Sequence, residues 1–115
     1  MSVTLNLPMP PSANNMWTLK RKGLRLSPQY EAWLNEAGWL AKAQRAGSVA
    51  GRYELRVIIG RRGLKKTRRD LDNLLKPISD LLVNIGTVQD DSLCEYLSAE
   101  WEDDAEGVTV KVEAA

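Results

Sequence analysis

Between positions 71 and 85, apolar residues recur at the three- and four-residue spacing of an amphipathic α-helix. On a helical wheel they share one sector, which must face a core; they are Leu71, Leu74, Leu75, Ile78, Leu81, Leu82 and Ile85. Asp72, Lys76 and Asp80 follow one another in four-residue steps on nearly the opposite side, so we expect them to be exposed or to line a cleft. The segment predicts a helix over about 72–85, with Gly86 as its stop, packed against a second layer.

The rest of the chain predicts strands around this helix and one further helix. Ser27 and Pro28 suit the N-cap and first position of a helix over 28–46. Alternating apolar residues indicate a strand at 3–7, a hairpin at 17–26 turning at Lys22-Gly23, and strands at 52–60, 93–101 and 107–113. The order β-ββ-α-β-α-β-β predicts a single α/β (α+β) domain over 1–115, with a mixed sheet packed against two main helices.

The chain contains no histidine and a single cysteine, Cys94. The missing histidines exclude Ser-His-Asp and Cys-His catalysis and every histidine-ligated metal site. One cysteine excludes an intrachain disulfide and zinc sites built from several cysteines, and it suits a reducing cytoplasm. No apolar run is long enough to span a membrane, and we expect no secretory signal. Any hydrolysis must therefore depend on carboxylates, lysine, tyrosine or a metal ion held by oxygen ligands.

Two groups of aspartates flank the predicted helix at 72–85. Asp70 and Asp72 stand at its start, and Asp90-Asp91 follows its end. In a helix, residues two apart diverge by about 200°, whereas in an extended segment they point to one side. Asp70 and Asp72 can therefore share a site only if Asp70 precedes the helix, and we expect the helix to begin at Asp72 or Asn73.

These acids can form an all-oxygen metal site. Mg²⁺, or Mn²⁺ in its place, prefers such hard ligands, and a bound ion lowers the pKa of water without histidine. The metal ligands would be Asp70, Asp72, Asp90 and Asp91. Lys76, one turn after Asp72, can contact the same phosphate and stabilise its charge. Simpler interpretations stay open here: an aspartate N-cap, an Asp72–Lys76 surface ion pair, and Asp90-Asp91 as a polar turn.

Basic residues are segregated from the acids, so a chain with a net charge of +1 can still present a basic face to DNA. The candidate DNA-binding residues are Arg61, Arg62, Lys65, Lys66, Arg68 and Arg69 in a predicted loop at 61–69, and Lys20, Arg21, Lys22 and Arg25 in the hairpin. A solvated charged loop is the simpler alternative. Because the loop leads directly into Asp70, however, it can hold the phosphate backbone against carboxylates that would otherwise repel it.

The tryptophans are expected mainly in the core. We predict burial for Trp33, Trp39 and Trp101, and also for Trp17. Because Trp17 stands beside the basic hairpin, stacking on an unpaired base is an alternative for its side chain.

The combination of these motifs resembles the RusA family of Holliday-junction resolvases. The resemblance rests on Asp-Leu-Asp-Asn-Leu at 70–74, on Lys76, Asp80 and Asp90-Asp91, and on the opening Leu-Pro-Met-Pro-Pro-Ser at 7–12 with Asn14. It spans nearly the whole chain and is thin in the first helix and the last two strands. Pro77 departs from the small residue expected there, which affects local helix geometry more than chemistry.

The resemblance implies a Mg²⁺-dependent homodimer that resolves four-way junctions by paired symmetrical nicks, in DNA recombination and repair, in the cytoplasm of a bacterial or phage-infected cell. It assigns catalysis to Asp70, Asp72 and Asp91, with Asp90 in support, and to Lys76 as the essential lysine. Two opposed strands need two sites, which a two-fold dimer supplies. The alternatives are a non-catalytic branched-DNA-binding protein of phage origin and, more remotely, a glycosyl- or nucleotidyltransferase that uses Asp70-Leu71-Asp72 on a nucleotide-bound metal.

Overall fold

A computed structural model describes most of the chain, namely residues 2–12, 16–20, 23–62 and 71–115. Side chains at 18–20, 23 and 24 also lie outside the described part. The elements in chain order are β1 (Ser2–Leu7), β2 (Trp17–Lys20), β3 (Gly23–Leu26), α1 (Pro28–Ala43), β4 (Tyr53–Gly60), α2 (Asp72–Asn84), a 3₁₀ turn (Asp91–Leu93), β5 (Cys94–Glu102) and β6 (Val108–Ala114). The predicted order of strands and helices is confirmed.

Four strands form one mixed sheet in the order β1-β6-β4-β5. β6 pairs antiparallel with β1 and with β4, whereas β4 and β5 run parallel. The parallel pair requires a crossover connection, and α2 supplies it. β2 and β3 form a separate antiparallel hairpin, as the sequence predicted, although its turn at 21–22 lies outside the described residues.

The core lies between one face of this sheet and the two helices. Alternate β4 residues are fully buried, which matches the two-residue period of a strand with one covered face. The helical side contributes Tyr30, Trp33, Ala37 and Ala41 from α1 and Leu74, Pro77, Ile78, Leu81 and Leu82 from α2. The predicted apolar sector of α2 is therefore confirmed, since Leu71, Leu75 and Ile85 also pack against the core.

The first helix begins as predicted and ends three residues early. Ser27 accepts a hydrogen bond from Tyr30 N through its side chain, and Pro28 stands at the first helical position. The helix ends at Ala43 instead of residue 46 because Arg45 turns to a positive φ of 56°. This left-handed residue breaks the helical hydrogen-bond series.

Two of the four tryptophan predictions are wrong. Trp33 is buried and Trp101 packs half-buried against the core, but Trp39 is 73% exposed and Trp17 is 54% exposed. Trp39 lies two positions beyond the buried Ala37, on the opposite side of α1. Trp17 lies on the hairpin, outside the main sheet.

Candidate active site

Asp72 opens α2. The helix begins at Asp72, which confirms the predicted start, and the capping residue Leu71 contributes no side-chain hydrogen bond. The Asp72 side chain is exposed and makes no ion pair or hydrogen bond with any residue that the structure describes. Its charge in the first turn is favourable towards the helix dipole. Among the described residues the carboxylate therefore has no competing partner for a ligand, and neither the N-cap interpretation nor the Asp72–Lys76 pair applies to it.

Asp90 and Asp91 follow the end of the same helix. Gly86, with a positive φ of 79°, turns the chain away from α2, and the 3₁₀ turn begins at Asp91. Asp90 caps that turn by accepting a hydrogen bond from Ser92 N at 2.8 Å. This bond lowers the pKa of Asp90. Asp90 therefore shapes the turn, and its neighbour Asp91 is presented on an exposed corner.

Lys76 joins the helix to this turn. Its Nζ lies 3.0 Å from Asp80 Oδ1 and 3.6 Å from Asp91 Oδ2. Hydrogen bonding to Asp80 is the largest of the effects that raise the pKa of Lys76, and the Asp91 charge adds to it. The ammonium is therefore charged at neutral pH and lies between carboxylates from two segments that are separate in sequence.

An open groove lies between α2 and the turn. Asp80, Val83, Asn84, Asp90 and Asp91 line it. Three carboxylates at this groove give it a strongly negative character that only Lys76 offsets among the described contacts. A negatively charged groove attracts a cation and repels a phosphate, so a bound cation is needed before a phosphate can approach it.

Two buried tyrosines interact with carboxylates of the groove, and the sequence did not indicate a role at the site for either. Tyr30 Oη donates to Asp80 Oδ2 at 3.3 Å, and burial raises the pKa of this phenol. Tyr53 is fully buried, and its hydroxyl has no hydrogen-bond partner among the described residues. Burial, followed by electrostatic interaction with Cys94, Asp91 and Asp90, raises the pKa of Tyr53 to about 12, and the Cys94 side chain lies beside the hydroxyl. Helical or strand spacing indicates only that both rings are in the core.

The donor set suits a hard divalent cation. Asp72 and Asp91 offer carboxylate oxygens of the kind that Mg²⁺ binds, and neither is buried. Among the residues with described positions, no three acidic or cysteine side chains are close enough to hold a metal ion together. Asp70, which the sequence places in the ligand set, lies outside the described residues.

The structure describes only part of the predicted DNA-binding set. Arg61 and Arg62 are exposed after β4, and Arg25 is exposed on β3. Arg61 pairs with Asp103 and lies over the Trp101 ring at 5.0 Å. The remaining predicted residues lie outside the described part, with Lys20 represented by its backbone alone; they are Lys20, Arg21, Lys22, Lys65, Lys66, Arg68 and Arg69.

Neither described helix is long and apolar enough to cross a membrane.

In a comparison with known protein families, residues 8–113 match the family described as Endodeoxyribonuclease RusA. No curated protein matches the chain. The family match includes Asp72, Lys76, Asp90 and Asp91, so the groove lies within the matched region.

Proposed function

Since the chain belongs to the RusA family of endodeoxyribonucleases, and is thereby an enzyme of the Holliday-junction resolvase class, we propose that it cuts four-way junctions by a Mg²⁺-dependent hydrolysis at the groove beside α2. The observation that carries this assignment is the Lys76 ammonium, which lies 3.6 Å from Asp91 across two separate segments. A carboxylate and an ammonium held together at an exposed groove can receive a cation and a phosphate side by side.

Asp72 and Asp91 would hold the metal ion, with Asp70 as a further ligand and Asp90 in support. A bound Mg²⁺ or Mn²⁺ supplies an activated water near neutral pH and offsets charge on the phosphate. Asp90 contributes by fixing the turn through Ser92 N, which sets the direction of Asp91.

Lys76 would donate to a phosphate oxygen. Its pKa is raised, so the ammonium keeps its proton throughout the physiological range. Electrostatic stabilisation by a fixed donor is most effective where charge develops during the reaction. The lysine therefore stabilises the pentavalent phosphate without taking part in proton transfer.

The basic residues would hold the DNA. Two groups of basic residues are proposed to contact phosphates: Arg61, Arg62, Lys65, Lys66, Arg68 and Arg69 in the segment before α2, and Lys20, Arg21, Lys22 and Arg25 as a second contact. Each phosphate neutralised releases counterions, so junction affinity falls steeply with salt. A homodimer would present two sites to the two-fold symmetric junction and give paired nicks. Recombination and repair in the cytoplasm are the proposed setting.

The test is cleavage of a synthetic four-way junction with Mg²⁺, read as paired nicks on a denaturing gel. Wild type should nick, whereas Asp72→Asn and Lys76→Gln should keep junction binding and lose cutting. Asp104→Asn is the matched control, because Asp104 is an exposed aspartate in the turn between β5 and β6. Tight junction binding without cleavage under any divalent metal would reject the enzyme and favour the non-catalytic alternative.

A further inference from the structure

Both oxygens of the Asp80 carboxylate are occupied. Oδ1 lies 3.0 Å from Lys76 Nζ, and Oδ2 accepts a hydrogen bond from Tyr30 Oη at 3.3 Å. Two partners on different helices restrict the rotation of a short side chain far more than one partner does. The Asp80 carboxylate therefore has a defined orientation although it lies at the groove.

Tyr30 connects this carboxylate to the core. Its side chain is only 3% exposed, and its ring stacks on Trp33 with centroids 6.4 Å apart. Trp33 Nε1 in turn donates to Pro8 O at 2.9 Å. A continuous set of contacts therefore runs from the end of β1 through α1 to Asp80 and then to Lys76.

The ion pair between Lys76 and Asp80 contributes little to folding stability. The side chains of Lys76 and Asp80 are 56% and 32% exposed, and ion pairs exposed to this extent add little to the free energy of unfolding. A basic residue placed before an acidic one is also the less favourable order for an i,i+4 pair on a helix. The pair matters more for the position of the Lys76 ammonium than for stability. Without Asp80, the ammonium would have Asp91 as its only carboxylate partner among the described residues.

We propose that Asp80 is a positioning residue that holds the Lys76 ammonium beside Asp91, and that Tyr30 fixes Asp80 in this role. Asp80 shares the ammonium, so that Asp91 keeps oxygens for a metal ion and Lys76 stays directed to the phosphate. This inference rests on the proposed function of Lys76, and it assigns no contact between Asp80 and the DNA.

The experiment compares Asp80→Asn, Asp80→Glu and Tyr30→Phe with wild type and with the control Asp104→Asn. Three quantities are measured for each protein: the rate constant for nicking a saturating four-way junction, the junction Kd with Ca²⁺ in place of Mg²⁺, and the Mg²⁺ concentration that gives half-maximal thermal stabilisation. The Ca²⁺ measurement separates binding from cutting, and the Mg²⁺ measurement does not depend on activity.

Asp80→Asn should lower the nicking rate constant by about 10- to 100-fold, with a junction Kd within about twofold of wild type. It should also raise the Mg²⁺ requirement, because Lys76 then pairs with Asp91. Asp80→Glu should recover much of the rate, and Tyr30→Phe should lose less than Asp80→Asn. Wild-type cutting by Asp80→Asn would overturn the positioning role and leave the proposed function intact. A wild-type chain that cuts no junction would overturn both. If Asp80→Asn does not fold, a wild-type rate in Tyr30→Phe together with an unchanged Mg²⁺ requirement would overturn the role.

Discussion

Replacing Tyr53 by phenylalanine tests how a buried hydroxyl that is influenced by the charges of Asp90 and Asp91 affects stability. The Tyr53 hydroxyl is fully buried without a hydrogen-bond partner among the described residues. An unsatisfied buried polar group costs about 1–3 kcal/mol. Tyr53→Phe should therefore leave the free energy of unfolding at pH 7 unchanged or raise it by about 1–2 kcal/mol.

The same side chain should make the protein sensitive to alkali. Burial raises the pKa of Tyr53 from 10.0 to about 12, so the unfolded chain loses this proton before the folded chain does. The stability due to the neutral phenol is fully present below pH 10 and is lost as the pH rises towards 12. One pKa unit corresponds to about 1.4 kcal/mol, so wild type should lose about 1.4 kcal/mol more than Tyr53→Phe between pH 7 and pH 11, and about 2–3 kcal/mol more by pH 12.

Urea denaturation followed by tryptophan fluorescence at pH 7 and pH 11 measures both effects. Tyr96→Phe is the matched control, because Tyr96 is 47% exposed on β5. A loss of more than about 1 kcal/mol in Tyr53→Phe at pH 7 would show that the hydroxyl makes a favourable bond. An alkaline loss equal to that of wild type would refute the burial argument.

Three further predictions concern the turn, the hairpin and the core. Asp90→Ala should lower the melting temperature because Ser92 N loses its acceptor, whereas Asp90→Asn should keep it; equal melting temperatures for the two variants would reject the capping role. Trp17→Ala should weaken junction binding by about 1–3 kcal/mol at an unchanged melting temperature if the exposed ring stacks on a base, and unchanged affinity in a fluorescence titration would exclude that contact. Leu82→Ala should cost about 2–5 kcal/mol in chemical denaturation, and a cost below 1 kcal/mol would contradict its full burial.

Local periodicity was sufficient to predict the elements that carry the site. The apolar sector of α2 and the divergence of Asp70 and Asp72 in a helix together predicted a start at Asp72 or Asn73, and the helix begins at Asp72. Pro77 did not interrupt this helix, because its ring packs in the core and only one backbone hydrogen bond is lost. These features depend on residues close in sequence, which is why one sequence was enough.

Contacts between elements could not be predicted in the same way. Asp72 and Asp80 each lie four residues from Lys76 in sequence. Only the folded structure, in which Asp91 lies near Lys76 and Tyr30 donates to Asp80, shows why Lys76 pairs with Asp80. The surroundings of the Tyr53 hydroxyl could not be predicted either, because strand alternation predicts that the ring is buried but not what lies beside its oxygen. The prediction that Trp39 is buried was wrong for a different reason. The spacing of Tyr30, Trp33 and Ala37 in the sequence already places Trp39 on the outer side of α1.

Locating a bound Mn²⁺ by anomalous scattering, in crystals of the protein with an uncleaved four-way junction, tests the metal site directly. The ion should lie about 2.0–2.3 Å from carboxylate oxygens of both Asp72 and Asp91, with the Lys76 ammonium directed at the neighbouring phosphate. An ion bound elsewhere, or one that Asp91 does not contact, would contradict the assignment of this groove as the active site.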